Sequence, residues 1–163
     1  MKKLINGLAF QVGWFICVLL QGWQAWLYVI GYLSLHLIYI GQLKEYKFII
    51  SATLIGVVID SLLVWTGVFD FGTDYIFAPP WLVALWLLFA STFYHALRWF
   101  RDKKTLAIIS GATGGTISYL AGYQFEAVVF PLSLNITVII IGLIWALLFP
   151  ILLMLSESFE KPG

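Results

Sequence analysis

Four side chains could do chemistry in an otherwise apolar chain: Asp60, Gln11, His36 and His95. Asp60 lies in the run Gly56-Val57-Val58-Ile59-Asp60-Ser61. A carboxylate in such a setting costs several kcal/mol unless it is paired, hydrogen-bonded or protonated. It serves either as a ligand or proton site, or as an acid that locks helix packing together with Ser61. Thr53, Gly56, Asp60, Val64 and Gly67 recur at helical spacing as a small, polar stripe, which turns Asp60 toward other helices. Gln11, His36 and His95 each fall about 7–11 Å from the end of their own apolar run, so three segments place them at similar depth. A histidine there titrates near neutral pH and can donate to a headgroup or substrate. The plainer reading is interhelical hydrogen bonding.

Other chemistries find little footing. His36, His95 and Asp60 make a poor metal set, because the acid lies about one and a half to two helical turns deeper and no i,i+4 ligand pair exists. No metal and no cofactor are therefore expected. The single cysteine, Cys17, excludes an internal disulfide and a Cys-pair metal site. No serine sits in a nucleophile elbow, and no His-Glu-x-x-His run is present.

Two further patterns concern packing and charge. Ser91, His95, Arg98 and Asp102 follow one another at helical spacing. Arg98 is placed to pair with Asp102 or to reach a phosphate, and with Arg101, Lys103 and Lys104 it forms a basic rim. Arg98 and Arg101 are the candidates for headgroup contact, although a topological signal alone also explains these cations. Gly111, Gly115, Ser118 and Gly122 share a face of one helix, and small residues at that spacing let two backbones approach closely in a bundle or a dimer. The Gly-rich run lacks the lysine of a phosphate loop.

The elements that must hold these residues are legible from composition. The chain is 62% hydrophobic and only 10% charged, so a soluble domain of its 163 residues would expose large apolar patches. A membrane span needs roughly 20 apolar residues. Six runs meet that need, at about Leu4–Leu20, Trp23–Gly41, Phe48–Phe69, Pro80–Phe100, Thr105–Tyr123 and Leu134–Leu155. The expectation is an all-α, polytopic membrane protein with six transmembrane helices in a single domain over residues 1–163. Met1-Lys2-Lys3 and the following run read as an uncleaved first helix. Pro80 suits a first helical turn, and Pro150 should kink the last helix.

Charge gives the orientation. All nine Lys and Arg residues fall on one side of the six-span reading: Lys2, Lys3, Lys44, Lys47, Arg98, Arg101, Lys103, Lys104 and Lys161. The other side carries Asp70, Asp74 and Glu126. The positive-inside rule then places both termini in the cytoplasm, in a bacterial inner membrane. Trp23, Trp26, Trp65, Tyr75 and Trp81 mark the outer interface; Tyr39, Tyr46 and Trp99 mark the inner one. A net charge of +1 gives no basis for nucleic-acid binding.

Several stretches together resemble a family of small six-span bacterial inner-membrane proteins known only as a domain of unknown function. They are Asn6 with Phe10-Gln11-Val12-Gly13-Trp14-Phe15, Gly56 to Ser61, Pro80-Trp81-Leu82-Val83-Ala84-Leu85-Trp86 with Phe89, and Gly114-Gly115 with Ser118-Tyr119. The resemblance covers nearly the whole chain and implies a role with envelope lipids. The Gly56-to-Asp60 spacing is also similar to one in the rod-shape-determining membrane protein and in substrate-binding subunits of energy-coupling-factor transporters.

Three functions remain open at this stage. The first is a non-enzymatic protein that binds a lipid-like or small ligand, or a membrane partner, around Asp60. The second is a scaffold or subunit of an envelope complex that docks through the glycine face around Gly115. The third is a lipid-modifying enzyme or its accessory subunit.

Overall fold

The computed structural model describes residues 1–41, 45–72 and 75–160; Lys44, Asp74 and Lys161, three of the charges used for orientation, lie outside them. The described residues form six α-helices: α1 Lys2–Leu20, α2 Trp23–Leu35, α3 Glu45–Trp65, α4 Pro80–Ala90, α5 Lys104–Gln124 and α6 Leu134–Glu160. α1, α3 and α6 are long and apolar enough to cross a membrane. α5 is as long as α3, but its Gly, Ser and Thr run makes it less apolar. Their outward faces are apolar too. Ile136, Ile139, Leu143, Leu147, Ile151 and Met154 form an exposed stripe on α6, while Asn6, His36, Glu45, Asp60, Thr92 and Thr137 are buried. An apolar exterior over a partly polar interior is the pattern of a membrane protein.

α4 is central. It packs against α1, α2 and α3, while α6 packs against α5 and α3. α1 and α5 are not among the closely packed helix pairs, and a cavity lies between them. At one end of the bundle, Lys2 Nζ donates to Ile40 O (3.5 Å), and Arg98 and Arg101 reach Glu160. At the other end, Asp70 and Val129 exchange two backbone hydrogen bonds of 3.0 and 2.8 Å, tying the loop after α3 to the loop after α5.

Three elements depart from the expected runs. α3 stops at Trp65 rather than Phe69. Val68 N donates to Leu63 O (2.9 Å) and Gly67 N to Val64 O (3.0 Å), with Gly67 at φ +70°. This is a Schellman stop, and the left-handed residue it needs is the glycine. Gly67 therefore closes the helix instead of continuing the stripe of Asp60.

The expected second helix is regular only to Leu35. It continues as one π turn, His36–Ile40, in which Gly41 N donates to His36 O (2.6 Å).

The fourth helix, expected to reach Phe100, ends at Ala90 and passes through irregular turns into a short 3₁₀ segment, Arg98–Phe100. Ser91 and Thr92 hydroxyls donate to Leu88 O (2.7 Å) and Phe89 O (2.6 Å), competing for the carbonyls that would extend the helix. Asn6 of α1 secures the opened backbone, donating from Nδ2 to Ser91 O (3.2 Å) and accepting from Ala96 N at Oδ1 (3.3 Å). α6 runs through Pro150 to Glu160.

Candidate functional site

Glycine and tryptophan build the centre of the bundle. The Trp86 indole of α4 and the Trp145 indole of α6 stack with centroids 5.6 Å apart and an interplanar angle of 5°. Trp86 lies against Gly56 of α3, and Trp145 against Gly111 and Gly115 of α5; a Cβ at Gly56 or Gly115 would overlap the facing ring. The glycine face of α5 is thus occupied by α6 of the same chain at Gly111 and Gly115. Gly122 sits near Val128, and Ser118 faces α1.

Asp60 is 1% exposed and closes this centre. Its Oδ2 accepts from Trp86 Nε1 and its Oδ1 from Tyr119 Oη, both at 2.6 Å. Both donors are neutral and come from different helices, so the carboxylate joins α3, α4 and α5. Ser61 acts separately: its Oγ accepts from Ala78 N (3.1 Å) in the loop before α4.

Trp86 and Tyr119 present their other sides to a cavity of about 510 Å³ in the gap between α1 and α5. Phe10, Trp14, Phe89 and Phe149 wall it, and Gln11 and Ser118 are among its few polar side chains. Trp14 Nε1 donates to Ser118 Oγ (2.9 Å), and Trp14 and Phe15 both contact the Phe125 ring at 6.3 Å, so side chains alone bridge the gap. Gln11 and Phe15 on one lip, and Gly114 and Ile117 on the other, are exposed. Trp81, expected at an outer interface, is buried and lines the same cavity. Asp60 does not line it.

His36 and His95 meet elsewhere, at the end of the bundle that carries Lys2 and Glu160. The π turn carries His36 inward to full burial, and the opened stretch after α4 brings His95 to it, with ring centroids 5.0 Å apart. Glu45, the first residue of α3, lies between them: its Oε2 is 3.3 Å from Nε2 of each imidazole. His36 Nδ1 lies 3.2 Å from Tyr32 Oη, which accepts from Asn6 Nδ2 (2.8 Å). Gln11, His36, His95 and Asp60 therefore occupy three places: the cavity wall, the His–Glu cluster and the aromatic centre.

The basic rim is largely committed internally. Arg98 Nη2 pairs with Glu160 Oε1 at 3.0 Å rather than with Asp102, and Arg101 pairs with the other oxygen of Glu160. The Arg101 side chain is 7% exposed and lies over the Tyr94 ring (5.1 Å), whereas Arg98 remains half exposed.

Sequence reasoning missed Glu45, Asn6, Tyr32, Trp86 and Tyr119 as site residues. Glu45 stands among interfacial charges just before the apolar run, where an acid reads as solvated. Asn6, Trp86 and Tyr119 stood in the sequence only as parts of the stretches that carry the family resemblance; the acid at Asp60 alone signalled that donors had to exist.

A family model described as "Protein of unknown function (DUF2878)" matches residues 3–151. No curated protein and no solved structure shows significant similarity to the chain.

Proposed function

From the premise that this chain belongs to the DUF2878 family of unknown function, we propose that it is a lipid-chain-binding protein of a bacterial inner membrane. In this reading all six helices cross the bilayer and both termini are cytoplasmic. The observation that carries it is the cavity between α1 and α5. Its volume of about 510 Å³ lies within the range of roughly 300–1,000 Å³ that holds small ligands. Its walls are aromatic and aliphatic, and its mouth opens between two helix faces whose neighbouring residues Leu8, Val12 and Ile117 are themselves exposed and apolar. In a bilayer such a mouth faces hydrocarbon, so an acyl-type chain enters sideways without crossing water. Gln11, exposed on the lip, supplies a polar contact for the less apolar end of the ligand.

Asp60 acts in this reading through others. It fixes the Trp86 and Tyr119 rings that form the cavity floor. The scaffold reading draws less support, because Gly111 and Gly115, its intended docking face, already hold Trp145. The enzyme reading draws less support, because the serine hydroxyls that line the cavity, Ser110 and Ser118, have no His, Asp or Glu beside them in its wall.

The test is photo-crosslinking in reconstituted vesicles with a phospholipid that carries a diazirine on its acyl chain. Labelled peptides should concentrate on the cavity faces around Phe10–Trp14 and Gly114–Ser118. Labelling spread evenly over the outer stripe of α6 would mean that lipid only coats the bundle. For orientation, cysteines placed at Lys104 and Glu126 should react with an impermeant maleimide from opposite sides of the membrane, Lys104→Cys from the cytoplasmic side.

A further inference from the structure

The His–Glu cluster lies apart from the cavity and takes no part in the function proposed for it. We propose that His36, Glu45 and His95 form a binding site for one divalent transition-metal ion, with zinc as the fitting ion. Two imidazoles and one carboxylate are a recurrent three-ligand set for such ions. The three ligand atoms lie within 4.8 Å of one another.

Two of the three ligand spacings match a tetrahedral centre. Bonds of about 2.0–2.1 Å at tetrahedral angles separate neighbouring ligand atoms by roughly 3.3–3.4 Å. Both Nε2-to-Oε2 distances are 3.3 Å. An octahedral site with similar bonds would draw neighbouring ligands to about 3.0 Å. Hydrogen bonds from an imidazolium to a carboxylate would also be shorter, about 2.7–2.9 Å. Two equally long contacts converging on one oxygen therefore suit ligands arranged around a shared centre. The third edge is the one left to close, and His95, whose side chain is 13% exposed, is the least enclosed of the three ligands.

The surroundings match that role. Metal-bound histidines are oriented through their second ring nitrogen. His36 Nδ1 meets Tyr32 Oη, which Asn6 holds in turn, and Asn6 also fixes the opened backbone that carries His95. A π turn, an element frequent at functional sites, delivers His36. Three protein ligands leave one tetrahedral position for water or an exogenous group, as in zinc centres that bind or activate a ligand.

The experiment uses the full chain in mild detergent, without a polyhistidine tag, stripped with EDTA and titrated with Co²⁺. The expected result is one equivalent bound, with the intense visible band of tetrahedral cobalt, displaced by Zn²⁺. His95→Gln should weaken binding at least about 100-fold, and Tyr32→Phe, which leaves all three ligands in place, about 10–100-fold. Circular dichroism verifies folding; should His95→Gln not fold, Tyr32→Phe carries the test. The absence of the band in folded wild-type protein overturns the proposal. So does a weak octahedral band indifferent to both substitutions, which would mark an adventitious ion only.

Discussion

Among the described residues two carboxylates are buried, Asp60 and Glu45, and they are held in opposite ways. Asp60 gives each oxygen a separate partner: Trp86 Nε1 and Tyr119 Oη, both at 2.6 Å. An indole nitrogen can only donate, so that half of the arrangement has one state. Glu45 instead offers one oxygen to two imidazoles at 3.3 Å, and an imidazole nitrogen can donate a proton, accept one or bind a metal. The first carboxylate is a lock that shapes the cavity floor. The second is a centre that can change occupant. In a low-dielectric interior, the chemistry of an acid's partners, more than its burial, separates architecture from a site.

The sharpest way to break this contrast is to remove the lock. Asp60→Ala leaves the Trp86 and Tyr119 donors buried without an acceptor, at about 1–3 kcal/mol each. The expected outcome is a loss of about 2–6 kcal/mol or failure to accumulate, read by thermal unfolding in detergent. Asp60→Asn keeps an acceptor for Trp86 Nε1 and turns its amide donor to Tyr119 Oη, which can accept it, so only about 0.5–1.5 kcal/mol should be lost while the fold is retained. Equal stability of Asp60→Ala and wild type would show that the two hydrogen bonds do not hold the centre.

Gly115→Ala tests the packing half of the lock. The methyl group must displace the Trp145 ring, and overpacking of this kind costs about 1–3 kcal/mol. Its neighbour gives the contrast. A Cβ at Gly114 meets nothing within 4 Å, and the residue lines the cavity. Gly114→Leu should change stability by no more than about 0.5 kcal/mol. A large destabilisation by Gly114→Leu, with Gly115→Ala silent, would reverse the assignment of the two faces of α5. The smallest effect belongs to Arg98→Ala: its half-exposed pair with Glu160 is worth about 0–1 kcal/mol, and less as salt rises. Salt-independent destabilisation would place that arginine in a more buried role.

Much of the fold was readable before the structure, and its limits have physical causes. Apolar runs located the six helices, because lipid leaves the backbone few alternatives to helical hydrogen bonding. Gly67 carried a legible stop signal that the hydropathy of Val68 and Phe69 obscured. The end of α4 was not legible, because two hydroxyls and the side chain of Asn6, 85 residues from Ser91, decide it together. The partners of Asp60 lie 26 and 59 residues away, and no local periodicity encodes them. The similar depth of His36 and His95 was readable from helix rise. Glu45 was not, since its assignment depended on starting α3 at residue 45 instead of Phe48.

The cavity between α1 and α5 is where the functional reading stands or falls. Native mass spectrometry of the protein, extracted gently from its own membrane, tests it most directly when wild type is compared with Gly114→Leu. The expected spectrum shows a lipid-mass adduct on wild type that survives activation and is absent from the folded Gly114→Leu protein. An adduct that persists unchanged when the mouth of the cavity is obstructed, or a wild-type protein that carries none, would contradict the account.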